Sequence, residues 1–278
     1  MENRRIKVVE KGHGAVDGAG VKLTRVLSHP DVYDIDPFLM LDAFGSDDPE
    51  DYRKGFPMHP HKGVETLTYL LEGSMKYGDV GGKESRLSGG ELQWVTAGSG
   101  ILHEEMPLEP GRLEWVQLWL NLPAKEKGAA PGCRMIPRDK MTDIKVEGGN
   151  VRLIAGTYNG VKGNKGDFVE ITMLDIRLDA ESRLLIPTAE EDNVFIYLLE
   201  GSGCFDESSR TVEKRSAAIF GSGGAIAAEA GADGVRFLLL AGKPLREPIS
   251  WAGPVVMNTE EEIHRAFREL QDGTFLKE

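Results

Sequence analysis

Short apolar, β-branched runs broken by glycine or charged residues recur along the chain and predict strands joined by tight turns. Residues 66–71 read as a buried strand ending at Glu72-Gly73. Residues 91–96, 101–105 and 116–122 read as three more, with a turn at Ala97-Gly-Ser-Gly100. Residues 7–26 fit two short strands around Gly18-Ala-Gly20, and residues 76–90 fit one or two hairpins. Asp36-Pro-Phe-Leu-Met-Leu-Asp-Ala-Phe-Gly45 is an apolar block expected to pack against a barrel wall, and Asp47-Asp-Pro-Glu-Asp51 reads as a solvated loop. Helical periodicity is confined to the C-terminal end. There Thr259-Glu-Glu-Glu262 has capping-box spacing after Asn258, Ile263, Phe267 and Leu270 share one face, and Gly273 is a stop. The pattern is that of an all-β protein with a short C-terminal helix.

One motif occurs twice. Tyr69-Leu-Leu-Glu-Gly-Ser74 returns letter for letter as Tyr197-Leu-Leu-Glu-Gly-Ser202, each after a comparable strand. Such repetition predicts two similar domains. The polar stretch 125–137, with Gly128, Pro131 and Gly132, reads as the connection. The expected division is 1–132, a linker at 133–145, and 146–278.

Composition narrows the class. The chain has 278 residues, 40% hydrophobic and 28% charged, with 34 glycines and 14 prolines, as in a soluble globular β-protein. No run approaches the roughly 18 apolar residues of a membrane span. The start, Met1-Glu-Asn-Arg-Arg-Ile-Lys7, lacks the apolar stretch of a signal peptide. A net charge of −12 argues against direct nucleic-acid binding, which needs a basic face. Cys133 and Cys204, the two cysteines, form no disulfide framework and suit a reducing cytoplasm.

Candidate chemistry lies in Phe56-Pro-Met-His-Pro-His-Lys-Gly-Val-Glu-Thr-Leu-Thr-Tyr-Leu-Leu-Glu-Gly73. Residues two apart on a strand share a face, and Pro60 holds the residue before it extended, so His59 and His61 can converge on one ion. In Gly98-Ser-Gly-Ile-Leu-His-Glu-Glu-Met-Pro107, His103 and Glu105 repeat the spacing, while Glu104 turns to the opposite face. Glu65, four residues beyond His61, is a competing carboxylate. In the second repeat the positions of His59, His61, His103 and Glu105 fall on Pro187, Ala189, Ile226 and Ala228, so the donors belong to the first repeat alone. His13 and His29 sit in loop-like contexts and His264 on the helix; all three read as surface or structural. Three imidazoles and a carboxylate without nearby cysteine suit iron(II), manganese, nickel or copper, with zinc also open.

These motifs resemble the pirin family of the cupin superfamily. The 56–73 stretch carries the likeness, with Leu92-Gln-Trp-Val-Thr-Ala-Gly-Ser-Gly-Ile-Leu-His-Glu-Glu-Met-Pro107, Gln117-Leu-Trp-Leu-Asn-Leu-Pro123, Pro244-Leu-Arg-Glu-Pro-Ile249 and Gly253-Pro-Val-Val-Met-Asn-Thr-Glu-Glu-Glu-Ile263. The resemblance implies two cupin barrels, double-stranded β-helices of jelly-roll type, the N-terminal one holding a mononuclear iron through His59, His61, His103 and Glu105. It also implies a quercetinase-like activity that opens a flavonol ring with dioxygen, with Glu105 as catalytic base. The alternative it carries is a regulatory protein that meets a protein partner according to metal oxidation state, nuclear in a eukaryote. Met58, Lys62 and Tyr77 depart from residues usual in the family, and no substrate-binding residue is assigned.

Overall fold

The fold, described over residues 2–208 and 210–277 of a computed structural model, is built almost entirely of antiparallel strands in two compact units. The units do not follow the sequence halves. One comprises residues 13–25, 38–138 and 245–278, and the other residues 1–12, 26–37 and 139–244. The C-terminal helix therefore belongs with the histidine-bearing unit rather than with a domain running from residue 146.

In the histidine-bearing unit a seven-stranded sheet runs in the order Gly132–Ile136, Leu92–Thr96, Val64–Glu72, Leu113–Asn121, Phe38–Ser46, Val21–Leu27 and His13–Asp17. A four-stranded sheet is ordered Phe56–His61, Ile101–Pro107, Ser74–Asp79 and Glu84–Ser88. Leu70, Phe44, Leu113 and Trp115 from the first meet Met75 and Leu87 from the second in one core. Sheet-on-sheet packing follows from a single demand: each sheet must bury its apolar face. Phe44 stacks on Trp115 at 5.5 Å, and Phe56 meets the same indole edge-on at 6.0 Å.

Three expectations change. The 36–45 block is itself a wall strand, Phe38–Ser46, paired on both sides and buried through its first seven residues. The supposed linker contains the edge strand Gly132–Ile136, paired with Leu92–Thr96. Residues 7–26 hold three strands, not two, and the first, Ile6–Glu10, pairs with Ala217–Phe220 in the other unit. The C-terminal helix spans Glu260–Gln271. Thr259 and Glu262 form the capping box, and Ile263 and Ala266 are buried.

The other unit is a nine-stranded sheet whose central path runs Ile6–Glu10, Ala217–Phe220, Asn193–Cys204, Ala225–Gly242, Ile171–Leu178, Gly149–Ala155 and Thr142–Val146. Its interior is filled by apolar side chains, among them Ile186, Phe205, Ile226, Ala228 and Phe237. Next to Pro187, buried Arg4 donates to Thr188 Oγ1 (2.8 Å), the Ala189 carbonyl (2.6 Å) and the Gly221 carbonyl (2.7 Å). The repeat thus keeps the scaffold and fills its interior with hydrocarbon. No helix among the described residues is long and apolar enough to cross a membrane.

Candidate metal centre

The strands Phe56–His61 and Ile101–Pro107 pair antiparallel, with His103 opposite His59 and Ile101 opposite His61. Directly opposed side chains stand on one face, so three imidazoles converge. Candidate donor atoms of His59, His61 and His103 all lie within 4.8 Å of one another. His59 Nδ1 lies 2.9 Å from the Pro57 carbonyl. A carbonyl only accepts, which puts the proton on Nδ1 and leaves the Nε2 lone pair directed at the centre. His103 Nε2 stands 3.0 Å from His59 Nε2. Two nitrogens each about 2.1 Å from one ion, at right angles, would be about 3.0 Å apart, so the donors fit a shared cation.

Electrostatics favour neutral imidazoles. Burial, then the neighbouring His59, pushes His61 down to about 3, against a backbone interaction with Pro254. Burial, then His61 and His59, holds His103 well below the ordinary imidazole value. Rings that stay unprotonated keep lone pairs for a metal.

Glu105 lies outside the histidine triad's donor group, although buried and on the same face of the same strand as His103. A register shift follows His103, and Glu105 sits opposite Phe56. Its Oε1 accepts from Thr68 Oγ1 at 3.2 Å and its Oε2 from Gln117 Nε2 at 3.1 Å. Burial raises its proton affinity, opposed first by His59 and then by these two donors. Gln117 also donates to Thr68 Oγ1 at 3.0 Å, and its Oε1 accepts from Trp119 Nε1 at 3.3 Å. The carboxylate is thereby aimed by the opposite sheet.

Behind the triad the chain is clamped. Lys62 pairs with the C-terminal segment: its N–H donates to the Pro254 carbonyl (3.2 Å) and its carbonyl accepts from Val256 N–H (3.0 Å). Its ammonium meets Glu269 of the helix at 2.6 Å. Gly63, at φ +77°, leaves no room for a Cβ, which would run into the Val256 carbonyl. Buried Lys127 donates to the carbonyls of Gly63 and Val256 (each 2.9 Å) and to Asn121 Oδ1.

The other candidates fall away from the centre. Glu104 faces outward toward Lys76 at 3.6 Å. Glu65, buried in the seven-stranded sheet, accepts from Thr96 Oγ1 at 2.7 Å, and alternation turns it away from Thr66 and Thr68. His13, His29 and His264 are all exposed and lie outside the triad. Tyr77 packs its ring against His103 at 5.6 Å and donates to Asp79 Oδ2 at 3.1 Å. Cys133 and Cys204 are free, and burial pushes the Cys133 thiol up to about 12. Sequence reading missed Thr68, Gln117, Trp119 and Lys127. Thr68 and Gln117 stand out as polar residues on strands otherwise rich in apolar ones, whereas Trp119 and Lys127, the latter outside any strand, carry no such signal.

Two cupin-type domains in one chain, one of them with a histidine group that could hold a metal ion, define a bicupin. The chain belongs to the pirin family: residues 20–120 match the family model "Pirin" and residues 173–276 the "Pirin C-terminal cupin domain". It is 41% identical over 279 residues to a pirin-like protein of Caulobacter vibrioides, covering 99% of this chain and 100% of that one. It is 42% identical over 281 residues, 97% of each chain, to a Pseudomonas aeruginosa protein provisionally named quercetin 2,3-dioxygenase. A crystal structure titled quercetin 2,3-dioxygenase from Acinetobacter baumannii superposes with a TM-score of 0.91 at 30% identity, covering 98% of each chain.

Proposed function

We propose that this protein is a mononuclear iron(II) dioxygenase that opens the ring of quercetin or a related flavonol. The observation that carries the reading is the convergence of three imidazoles, those of His61 and His103 buried and held neutral, with a buried carboxylate on the same strand face. The names borne by the Pseudomonas relative and the Acinetobacter structure support the substrate class. His59, His61 and His103 would hold the metal, with Glu105 as the fourth group on this face. Bound iron(II) would supply the one-electron chemistry that lets dioxygen react with a closed-shell flavonol.

The chain's own residues do the rest. Glu105 takes the proton of the flavonol's enolic hydroxyl onto its carboxylate, as its raised proton affinity favours. Thr68 and Gln117 hold both carboxylate oxygens in place during that transfer. Phe56, Trp119 and Tyr77 pack against the imidazoles and keep water from them. Flavonol absorbance is followed in air with the iron-loaded protein and a His59→Ala control. Faster loss in the wild type supports the reading; equal rates sink it, and iron uptake without turnover leaves the regulatory alternative.

A further inference from the structure

We propose that Trp119 and Trp251 form a one-electron path from the histidine centre to the surface, through which oxidising equivalents generated at a bound metal leave the protein. The proposal rests on the metal reading of His59, His61 and His103, and on no particular substrate. The His61 ring meets the Trp119 indole perpendicularly, with centroids 4.9 Å apart, and Trp119 lies 5.7 Å from Trp251 at 34°. Trp119 is buried and Trp251 partly exposed, so the row begins at a candidate ligand and ends at solvent. Indole is among the most readily oxidised side chains, and electron transfer falls steeply with distance; both gaps here are ring contacts.

The centre's other aromatic neighbours offer no such exit. Tyr77 touches His103 but is 1% exposed, and Phe56, 6.4 Å from His59, has a ring that resists oxidation. At the outer end Trp251 Nε1 donates to the Gly253 carbonyl at 2.8 Å, a polarised N–H from which a proton can depart.

With hydrogen peroxide as the oxidant the electrons balance. Peroxide takes two electrons and two protons and leaves as two waters. One electron comes from iron(II), which becomes iron(III). The other comes from Trp251 by way of Trp119. One proton is the Trp251 Nε1 proton and the second comes from solvent, leaving a neutral indolyl radical at Trp251.

The test treats iron-loaded protein with hydrogen peroxide, without organic substrate, in the presence of a nitroso spin trap that forms one bond to a carbon radical. Adducts are located by peptide mass mapping, and iron content is measured in parallel. Adducts are expected at Trp251, lost in Trp119→Phe, and shifted to Trp119 in Trp251→Phe, with iron content equal in all three proteins. Trp251 adducts at wild-type yield in Trp119→Phe, equal yield in metal-free protein, or no adduct at either tryptophan despite full iron loading would overturn the path alone. Failure to take up iron would overturn the metal reading and the path with it.

Discussion

Burial holds His61 and His103 ready to bind, while the Pro57 carbonyl orients the partly exposed His59 ring. A buried ring that accepts a proton must desolvate the charge, so His61 stays neutral down to a pH of about 3. Replacing His103 with alanine removes a donor fixed directly across the ladder from His59. Iron per chain, measured by elemental analysis after loading, is expected to fall close to zero. Glu105→Gln keeps the shape and the contact with Thr68 but gives up the base. Flavonol turnover should fall by about a hundredfold or more while iron stays at the wild-type ratio; parallel loss of iron would make the carboxylate a ligand first.

At the scale of elements, the centre depends on how the Phe56–His61 strand is tied where it ends. Gly63→Ala forces a side chain against the Val256 carbonyl at a left-handed φ and should cost at least about 2 kcal/mol, read from urea unfolding. Lys127 joins the same turn to the C-terminal segment, and burial pushes its ammonium down to about 7. Between that value and the ordinary lysine value the unfolded chain holds a proton that the folded chain has released. This group's contribution to stability is therefore full above the unfolded value and fades as pH falls toward 7. The wild-type urea midpoint should rise from pH 7 to 9 relative to that of Lys127→Met, by up to about 2 kcal/mol in free energy. How legible such features were depended on chain distance. His59, His61 and His103 could be read because strand alternation is local, and the helix because Thr259 and Glu262 are three residues apart. The Thr68–Gln117–Glu105 network needs the register of two sheets, which no local pattern encodes. Lys127 looked like linker because its acceptors come from residues 63, 121 and 256. Residues 38–44 show no alternation because both faces of that strand are buried.

For the whole molecule, the division into units sets what can be cut. A fragment of residues 1–132 lacks the segment that pairs with Lys62, and one of residues 146–278 lacks the Ile6–Glu10 strand. Both are expected to unfold at lower urea than the full chain, and the first to bind iron poorly until residues 245–278 are supplied as a separate peptide. Circular dichroism melts and iron titration of the fragments check this. The same connectivity orders events during synthesis. A chain emerging from the ribosome makes His59, His61 and His103 early but the clasp at Pro254–Val256 only near completion. For most of its elongation the nascent protein carries His59 and His61 on a strand whose end is still untethered. Metal capture is expected only at the end of translation, and a truncated product is expected to lack a competent centre.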